Sequence, residues 1–237
     1  MSEIAIAYDV DSIERALELD RTLGEGPELA KVGLQLFTSA GPDAVKALRD
    51  RGRRVFLDLK LHDIPSTVAG AAGAAAALGA ELLTVHAMGG YEMVAAAVEG
   101  VKRAGGNTRI IAVTILTSLD AFNLPPGFTS PFHVPVVAPR LLDLATRAGA
   151  HGIVCAVPDL MTMRMFHKRD FYAVTPGIRP AGGATHDQHR VATVAEAVAA
   201  GSNLIVLGRA VTGAPDPAAA LAAARAERDA ALAPSQP

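Results

Sequence analysis

The sequence alternates short apolar runs with helical segments along almost its whole length, and this alternation limits the possible folds more than any other feature. The runs are rich in Val, Ile and Leu and are nearly continuous, which is typical of strands covered on both faces in a parallel sheet. We predict eight such strands, at 4–9, 29–37, 54–60, 81–86, 109–116, 152–157, 171–175 and 203–208. Helices predicted between them include 12–23, 42–51, 67–78, 91–103, 140–147 and 194–200.

Glycine follows many of these helices just before the next strand, at Gly52, Gly79, Gly105, Gly149 and Gly201. It is the preferred residue past a helix C-terminus because it adopts a left-handed backbone conformation without steric cost. Repeated βα units form either an open doubly wound sheet or a closed barrel. Eight units in 237 residues favour the barrel, so we predict an α/β protein with one (β/α)8 (TIM) barrel domain over 1–237 and a flexible tail at 233–237.

The charge balance excludes several classes of partner. The chain carries 22 Lys and Arg against 24 Asp and Glu, whereas nucleic-acid and anionic-membrane binders concentrate positive charge, so we expect neither partner. The sequence shows no long uncharged apolar stretch and no secretion-signal pattern at its start, so we expect a cytoplasmic protein. Cys155 is the only cysteine, which excludes an intramolecular disulfide and a multi-cysteine zinc site.

Alanine is concentrated at 69–80, 95–97, 195–200 and 218–231. Such stretches can be disordered, but disorder goes with high net charge and few apolar residues, and this chain is 50% hydrophobic and nearly neutral. Alanine is also the strongest helix former. We therefore predict helices that pack closely against their neighbours.

Polar residues mark the carboxyl ends of the predicted strands, where the chemistry of a (β/α)8 barrel takes place. They are Asp9, Lys31, Asp58, Lys60, His86, Thr117, Arg179 and Arg209. Lys31 lies early in its apolar run, which puts the end of that predicted strand in question. Two connections, 118–139 and 177–190, are longer than the others, and long loops in compact folds are often functional lids.

The segment FLDLKLHDIPST at 56–67 carries the densest chemical signal. In a strand Asp58 and Lys60 share one face, while the leucines between and beside them take the other. Two charges on the inward face of a core strand need partners, because burying an unpaired charge is costly. A structural ion pair is one interpretation, but Asp63 adds a third ionisable group within six residues. We therefore predict a catalytic role.

This segment, with AYDV near the start, KVGLQLF in strand two, TPGIRP after strand seven and GRAVT after strand eight, closely resembles the orotidine 5'-phosphate decarboxylase family. The resemblance extends from Ile4 to about Pro217, with the motifs in the expected order. D-x-K-x-x-D also occurs in barrels that act on keto-sugar phosphates, whereas I-P-[NS]-T and the R-P…D-Q loop are narrower signals. Ser66 departs from the Asn that is more usual before this Thr.

The resemblance implies conversion of orotidine 5'-phosphate to uridine 5'-phosphate and CO2, the last step of de novo pyrimidine synthesis, without a cofactor or metal. Lys60 would protonate pyrimidine C6 after CO2 leaves, and Asp58 would lie beside the substrate carboxylate. Lys31 and Asp63 would complete an alternating Lys–Asp–Lys–Asp array.

The remaining implied roles concern substrate binding and a second subunit. Asp9 and Lys31 would bind the ribose, Thr117 and Ser118 would lie near the pyrimidine, and Arg179, Gln188, Gly208 and Arg209 would hold the phosphate. In this family Asp63, Ile64 and Thr67 reach the active site of a partner chain. The resemblance therefore implies a homodimer with shared sites.

The residues alone leave two other functions open. A related barrel enzyme would decarboxylate or condense a keto-sugar phosphate with a metal ion, and a non-catalytic barrel would only bind a phosphate ligand. The intact Asp58, Lys60 and Asp63 argue against the non-catalytic alternative. For the decarboxylation of orotidine 5'-phosphate, preorganised positive charge beside the developing carbanion is the largest contribution that a protein without an electron sink can make.

Overall fold

The computed structural model describes residues 2–119, 134–167, 170–179 and 190–233. Within these residues eight parallel strands form a closed barrel in sequence order, with β8 paired to β1. The strands are β1 (Glu3–Ala7), β2 (Leu29–Gly33), β3 (Arg54–Leu61), β4 (Leu82–His86), β5 (Arg109–Val113), β6 (Gly152–Val154), β7 (Tyr172–Thr175) and β8 (Leu204–Leu207). The predicted (β/α)8 barrel is confirmed.

Helices follow the strands on the outside of the barrel. They are α1 (Ile13–Thr22), α2 (Leu34–Ala40), α3 (Pro42–Asp50), α4 (Pro65–Ala77), α5 (Gly90–Arg103), α6 (Val134–Arg147), α7 (Val157–Phe166), α8 (Val194–Ala199), α9 (Arg209–Thr212) and α10 (Pro217–Leu232). The alanine-rich stretch near the C-terminus is helical, as predicted. Of the predicted flexible tail, residues 234–237 lie outside the described part of the chain.

Several predicted boundaries are wrong, and the run at 109–116, for example, is strand only to Val113. The apolar run at 29–37 is strand only to Gly33 and then enters α2, and the run at 152–157 likewise ends its strand at Val154. Periodicity cannot separate a short buried strand from the buried start of a helix, since both are continuously apolar. The helix predicted at 140–147 begins at Val134, within the connection predicted at 118–139, and contains Pro139.

The apolar side chains of the strands divide between two layers, which explains why the runs are continuous. One layer fills the barrel interior, and its members include Ala5, Leu29, Phe56, Leu82, Ile111, Val174 and Leu204. The other layer lies between the strands and the helices and includes Ile4, Ile6, Val55, Leu57 and Leu83. Because neighbouring residues of a strand point to opposite faces, both sets of positions must be apolar.

The α4–α5 contact shows why alanine and glycine dominate these helices. A Cβ on Gly100 of α5 would lie 2.2 Å from the backbone oxygen of Ala69 in α4. Larger side chains would force the two helices apart. The alanine-rich helices α4 and α5 therefore pack closely, as predicted, and their backbones approach at a point where only glycine fits.

A buried polar cluster supports the carboxyl end of β1. The Asp20 carboxylate is fully buried and accepts hydrogen bonds from Tyr8 (2.9 Å), Arg51 (3.0 Å) and Arg53 (2.6 Å). Burial by itself would raise the pKa of Asp20, but these hydrogen bonds hold its pKa below the ordinary value. The cluster ties α1 to Tyr8, the residue that precedes Asp9.

Candidate active site

A cavity of about 300 Å³ opens at the carboxyl ends of the strands, a size at the lower end of the range for small-molecule sites. Its apolar floor is formed by side chains of the barrel interior, including Phe56, Val113, Val174 and Val206. The polar lining residues are Asp9, Lys31, Asp58, Lys60, Thr117, Arg179 and Arg209, together with Gly208. The structure therefore brings together, from six different strand ends, most of the residues that the sequence singled out.

Four charged side chains form a chain of ion pairs along one wall of the cavity. Lys60 Nζ lies 2.8 Å from both carboxylate oxygens of Asp58, and Lys31 Nζ lies 3.6 Å from Asp58 Oδ2. Lys31 Nζ also donates a hydrogen bond to Asp9 Oδ1 at 3.1 Å. The partners that two inward-facing charges require are thus present, and the order along the wall is Asp9, Lys31, Asp58 and Lys60.

The wall depends on the early end of β2 and on an irregularity in β3. Gly33 leaves no room for a side chain, since its Cβ would lie 2.7 Å from Asp9 Oδ1 and 2.9 Å from Lys31 Nζ. In β3, Leu57 pairs with Leu83 and Leu61 with Val85, so β3 carries two more residues than β4 over this stretch. Such bulges redirect side chains at the ends of strands.

Lys60 lies within this bulge and has a φ of 50°. Among the described residues it is the only one other than glycine with a positive φ. A left-handed conformation costs a residue with a Cβ about 1–2 kcal/mol, and such strain persists where the surrounding structure enforces it. The bulge therefore places the Lys60 ammonium group over Asp58 at a conformational cost.

The electrostatics of the wall keep Asp58 ionised. Burial by itself would raise the pKa of this carboxyl, but the charges of Lys31 and Lys60 and hydrogen bonds from Lys60 and Thr84 hold it below the ordinary value. A buried carboxylate fixed between two ammonium groups can repel a second carboxylate brought beside it. The ammonium group of Lys60, 30% exposed as a side chain, faces the cavity and can supply charge and a proton.

The opposite side of the cavity presents two guanidinium groups. Arg179 follows β7 and is buried, while Arg209 is exposed at the start of the short helix α9, after Gly208. Guanidinium groups match the geometry of phosphate oxygens and bind them in a bidentate fashion. Gln188 and the rest of the loop at 180–189 lie outside the described residues.

Sequence reasoning missed a buried ion pair at the end of this loop. Arg190 donates hydrogen bonds to Asp159 of α7 and to the backbone oxygens of Ile115 (3.2 Å) and Leu116 (2.8 Å). Ile115 and Leu116 line the cavity just before Thr117. The contact joins the end of the β7 connection to the end of β5, and the charge of Asp159 in the first turn of α7 is the one local signal of it in the sequence.

Some predicted residues do not line the cavity. Asp63, Ile64 and Thr67 lie at the surface, and Asp63 accepts a hydrogen bond from the backbone N–H of Ile64 at 2.6 Å. Ser118 is exposed beside Thr117 and is not part of the lining. His86, one of the strand-end residues, is also absent from the lining. Burial, His62 and Lys60 lower the pKa of His86 to about 4.

Comparison with known proteins gives concordant matches. The family described as "Orotidine 5'-phosphate decarboxylase / HUMPS family" matches residues 2–224. A relative from Anaeromyxobacter sp. (strain K), named orotidine 5'-phosphate decarboxylase, is 53% identical over 218 residues, which cover 92% of this chain and 94% of the relative. A relative of the same name from Parasynechococcus marenigrum is 48% identical over 225 residues, covering 93% of this chain and 91% of the relative.

Solved structures show the same architecture. The crystal structure of orotidine 5'-phosphate decarboxylase from Lactobacillus acidophilus aligns with a TM-score of 0.81 at 34% sequence identity. The alignment covers 97% of this chain and 100% of that chain. The two chains therefore share the same overall fold.

Proposed function

The chain belongs to the orotidine 5'-phosphate decarboxylase / HUMPS family, and from this premise we propose that it is a carboxy-lyase that converts orotidine 5'-phosphate to uridine 5'-phosphate and CO2. The relatives near 50% identity carry the name orotidine 5'-phosphate decarboxylase. The reaction would take its place in pyrimidine nucleotide synthesis.

The observation that carries this proposal is the wall of alternating charges, with Lys60 Nζ at 2.8 Å from both oxygens of Asp58. Loss of CO2 leaves an electron pair on pyrimidine C6, in an orbital that no adjacent π-system stabilises. A fixed ammonium group stabilises this charge as it develops, and it then donates the proton that completes the product. We assign both tasks to Lys60.

Asp58 acts mainly by positioning Lys60 and secondarily by repelling the substrate carboxylate. Two unit charges about 4 Å apart repel each other by about 4 kcal/mol at an effective dielectric constant near 20. Enzymes lower barriers by about 8–23 kcal/mol, so this repulsion is a minor part of the total. Stabilisation of the transition state by Lys60 is the major part.

The rest of the substrate is assigned by charge. The anionic phosphate fits the side of the cavity that holds Arg179, Gly208 and Arg209, with Gln188 contributed by the loop. The ribose hydroxyls fit Asp9 and Lys31, and Thr117 with Ser118 lies near the pyrimidine. Binding energy from the phosphate is then available to hold the reacting end in place.

The direct test follows pyrimidine absorbance after orotidine 5'-phosphate is added to the purified protein. We expect the absorbance of the substrate to fall to that of uridine 5'-phosphate, at the same rate with and without a metal chelator. No change in absorbance would refute the proposal. Chelator-sensitive turnover of a keto-sugar phosphate instead would assign the chain to the other class of barrel enzyme.

We also propose that the protein works as a homodimer with shared active sites. The side chain of Ile64 is 64% exposed, and Asp63 and Thr67 beside it face solvent. Leu34, Met88 and Tyr91 are exposed as well, and they follow β2 and β4, the two neighbours of β3 in the barrel. A second chain that covered this rim would bury its apolar side chains and bring a carboxylate to the site.

Mixing two inactive variants tests the shared site. In a mixed dimer of Lys60→Ala and Asp63→Ala chains, one of the two sites contains Lys60 from one chain and Asp63 from the other. We expect activity to return on mixing, whereas each variant incubated alone serves as the control. Recovery no greater than either parent would show that Asp63 does not act across an interface.

Two general properties complete the proposal. We treat residues 1–237 as a single domain, because all eight strands of the described residues belong to one barrel. None of the helices in the described ranges is long and apolar enough to cross a bilayer. We place the reaction in the cytoplasm, together with the rest of nucleotide synthesis.

A further inference from the structure

Thr84 lies in β4 opposite the bulge of β3 and has no exposed surface. Leu83 pairs with Leu57 and Val85 pairs with Leu61, and the two extra residues of β3 lie between Leu57 and Leu61. Since Leu83 and Val85 pack in the layer between strands and helices, Thr84 points into the barrel. Thr84 is not among the residues that line the cavity.

The Thr84 hydroxyl bonds to both members of the catalytic pair. It donates a hydrogen bond to Asp58 Oδ1 at 2.9 Å and accepts one from the backbone N–H of Lys60 at 2.8 Å. The bulge removes this N–H from the regular pairing between β3 and β4. A buried N–H without a partner is costly, so the hydroxyl stabilises the bulged conformation directly.

These two bonds fix different parts of the site. The bond from Lys60 N–H holds the backbone where φ is 50°, which sets the direction in which the lysine side chain leaves the strand. The bond to Asp58 fixes Oδ1, while Oδ2 accepts a hydrogen bond from Lys60 at 2.8 Å and lies 3.6 Å from Lys31 Nζ. One hydroxyl therefore sets the relative position of the two charges.

We propose that Thr84 is a positioning residue that holds Lys60 and Asp58 in their reactive arrangement without touching the substrate. The inference rests on the proposed decarboxylase function. Misplacing a catalytic group by about 1 Å lowers turnover by up to about 100-fold, and loss of one hydrogen bond to a charged group corresponds to about ten-fold or more.

The test replaces Thr84 with Val, which keeps the shape of the side chain and removes the hydroxyl. We expect Thr84→Val to lower kcat about 10- to 100-fold while KM for orotidine 5'-phosphate changes less than about three-fold, because the substrate cavity is intact. Thr84→Ser retains the hydroxyl and should restore kcat to within about three-fold of the wild type.

Thr108→Val provides a matched control. Thr108 is also a buried threonine, but its hydroxyl donates to the backbone oxygen of Ala80 at the opposite end of the barrel. The control should lower the free energy of unfolding and leave kcat unchanged. If Thr84→Val behaved in the same way, or raised KM without lowering kcat, the positioning role would be refuted.

Two further measurements keep the inference testable. If Thr84→Val does not fold, Thr84→Ala removes the same hydroxyl with less steric demand, and the same criteria apply to its kcat and KM. An inactive wild-type protein would refute the proposed function. An active wild type together with an unchanged kcat in the variant without the hydroxyl would refute only the role of Thr84.

Discussion

The assignment of Lys60 can be tested by Lys60→Ala, which removes the ammonium group and leaves the backbone of β3 in place. The structure shows this group 2.8 Å from both oxygens of Asp58 and on the wall of the cavity. The variant leaves Asp58 with Lys31 at 3.6 Å, so this carboxylate keeps a buried countercharge. Loss of turnover therefore reports on chemistry more than on unfolding.

The expected loss has two parts. An ammonium group about 4 Å from the developing carbanion stabilises it by about 4 kcal/mol at an effective dielectric constant near 20, which corresponds to about 10³-fold in rate. Proton donation by a positioned side chain contributes about 10²- to 10⁴-fold. We therefore expect kcat to fall by about 10⁵-fold or more.

The assay follows the absorbance of orotidine 5'-phosphate under saturating conditions, with urea denaturation to establish that the variant is folded. Binding of uridine 5'-phosphate provides a second check, because its affinity should change far less than kcat. Lys46→Ala, an exposed lysine of α3, is the matched control and should retain full turnover. Turnover of Lys60→Ala within about ten-fold of the wild type would refute the reasoning, since each of the two parts alone exceeds that factor.

Three further predictions concern packing, acid stability and the phosphate. Gly100→Ala should lower the free energy of unfolding by about 1–3 kcal/mol, because its Cβ would lie 2.2 Å from Ala69 O. Gly70→Ala, whose Cβ would have no atom within 4 Å, should raise the free energy of unfolding by about 0.5–1 kcal/mol. Similar urea midpoints for the two variants would contradict this packing. The pKa of Asp20 is lowered in the folded protein, so its contribution is present above the unfolded pKa near 4 and is lost as the pH falls below it. Asp20→Asn should therefore lose less stability than the wild type between pH 7 and pH 3, and equal losses in urea titrations would count against the buried cluster. Orotidine, which lacks the phosphate, should show lower turnover as well as lower affinity than orotidine 5'-phosphate. Arg209→Gln should reduce the difference in turnover and affinity between these two substrates. An unchanged difference would show that Arg209 does not bind the phosphate.

The ends of the elements show where sequence reasoning stops. Lys31 lies before the end of β2, and the doubt about that boundary was justified because the apolar run continues into α2. The start of α6 was missed because Pro139 normally indicates a helix boundary, yet it lies inside this helix. At the end of β2 the chain is apolar through the boundary, and only packing against neighbouring elements decides where the strand gives way to a helix.

The residues of the candidate active site divide in a similar way. Asp58 and Lys60 could be predicted because their charges interrupt a core strand two residues apart, and local sequence records both the spacing and the anomaly. Thr84 and the pair of Arg190 and Asp159 could not, because their hydrogen bonds join residues far apart in the chain. A buried threonine or arginine carries no local pattern that names its partner.

The sequence by itself determined that this chain forms a barrel of repeated βα units and that the charged residues of β3 lie at the carboxyl end of the barrel. The period of the apolar runs and the position of charges relative to them are local properties, so they can be read from the sequence. Only the tertiary structure decided how the bulge of β3 is held, because its stability depends on a hydroxyl supplied by a different strand. The fold follows from local pattern, whereas the placement of the charges in the candidate active site follows from contacts that exist only once the barrel has closed.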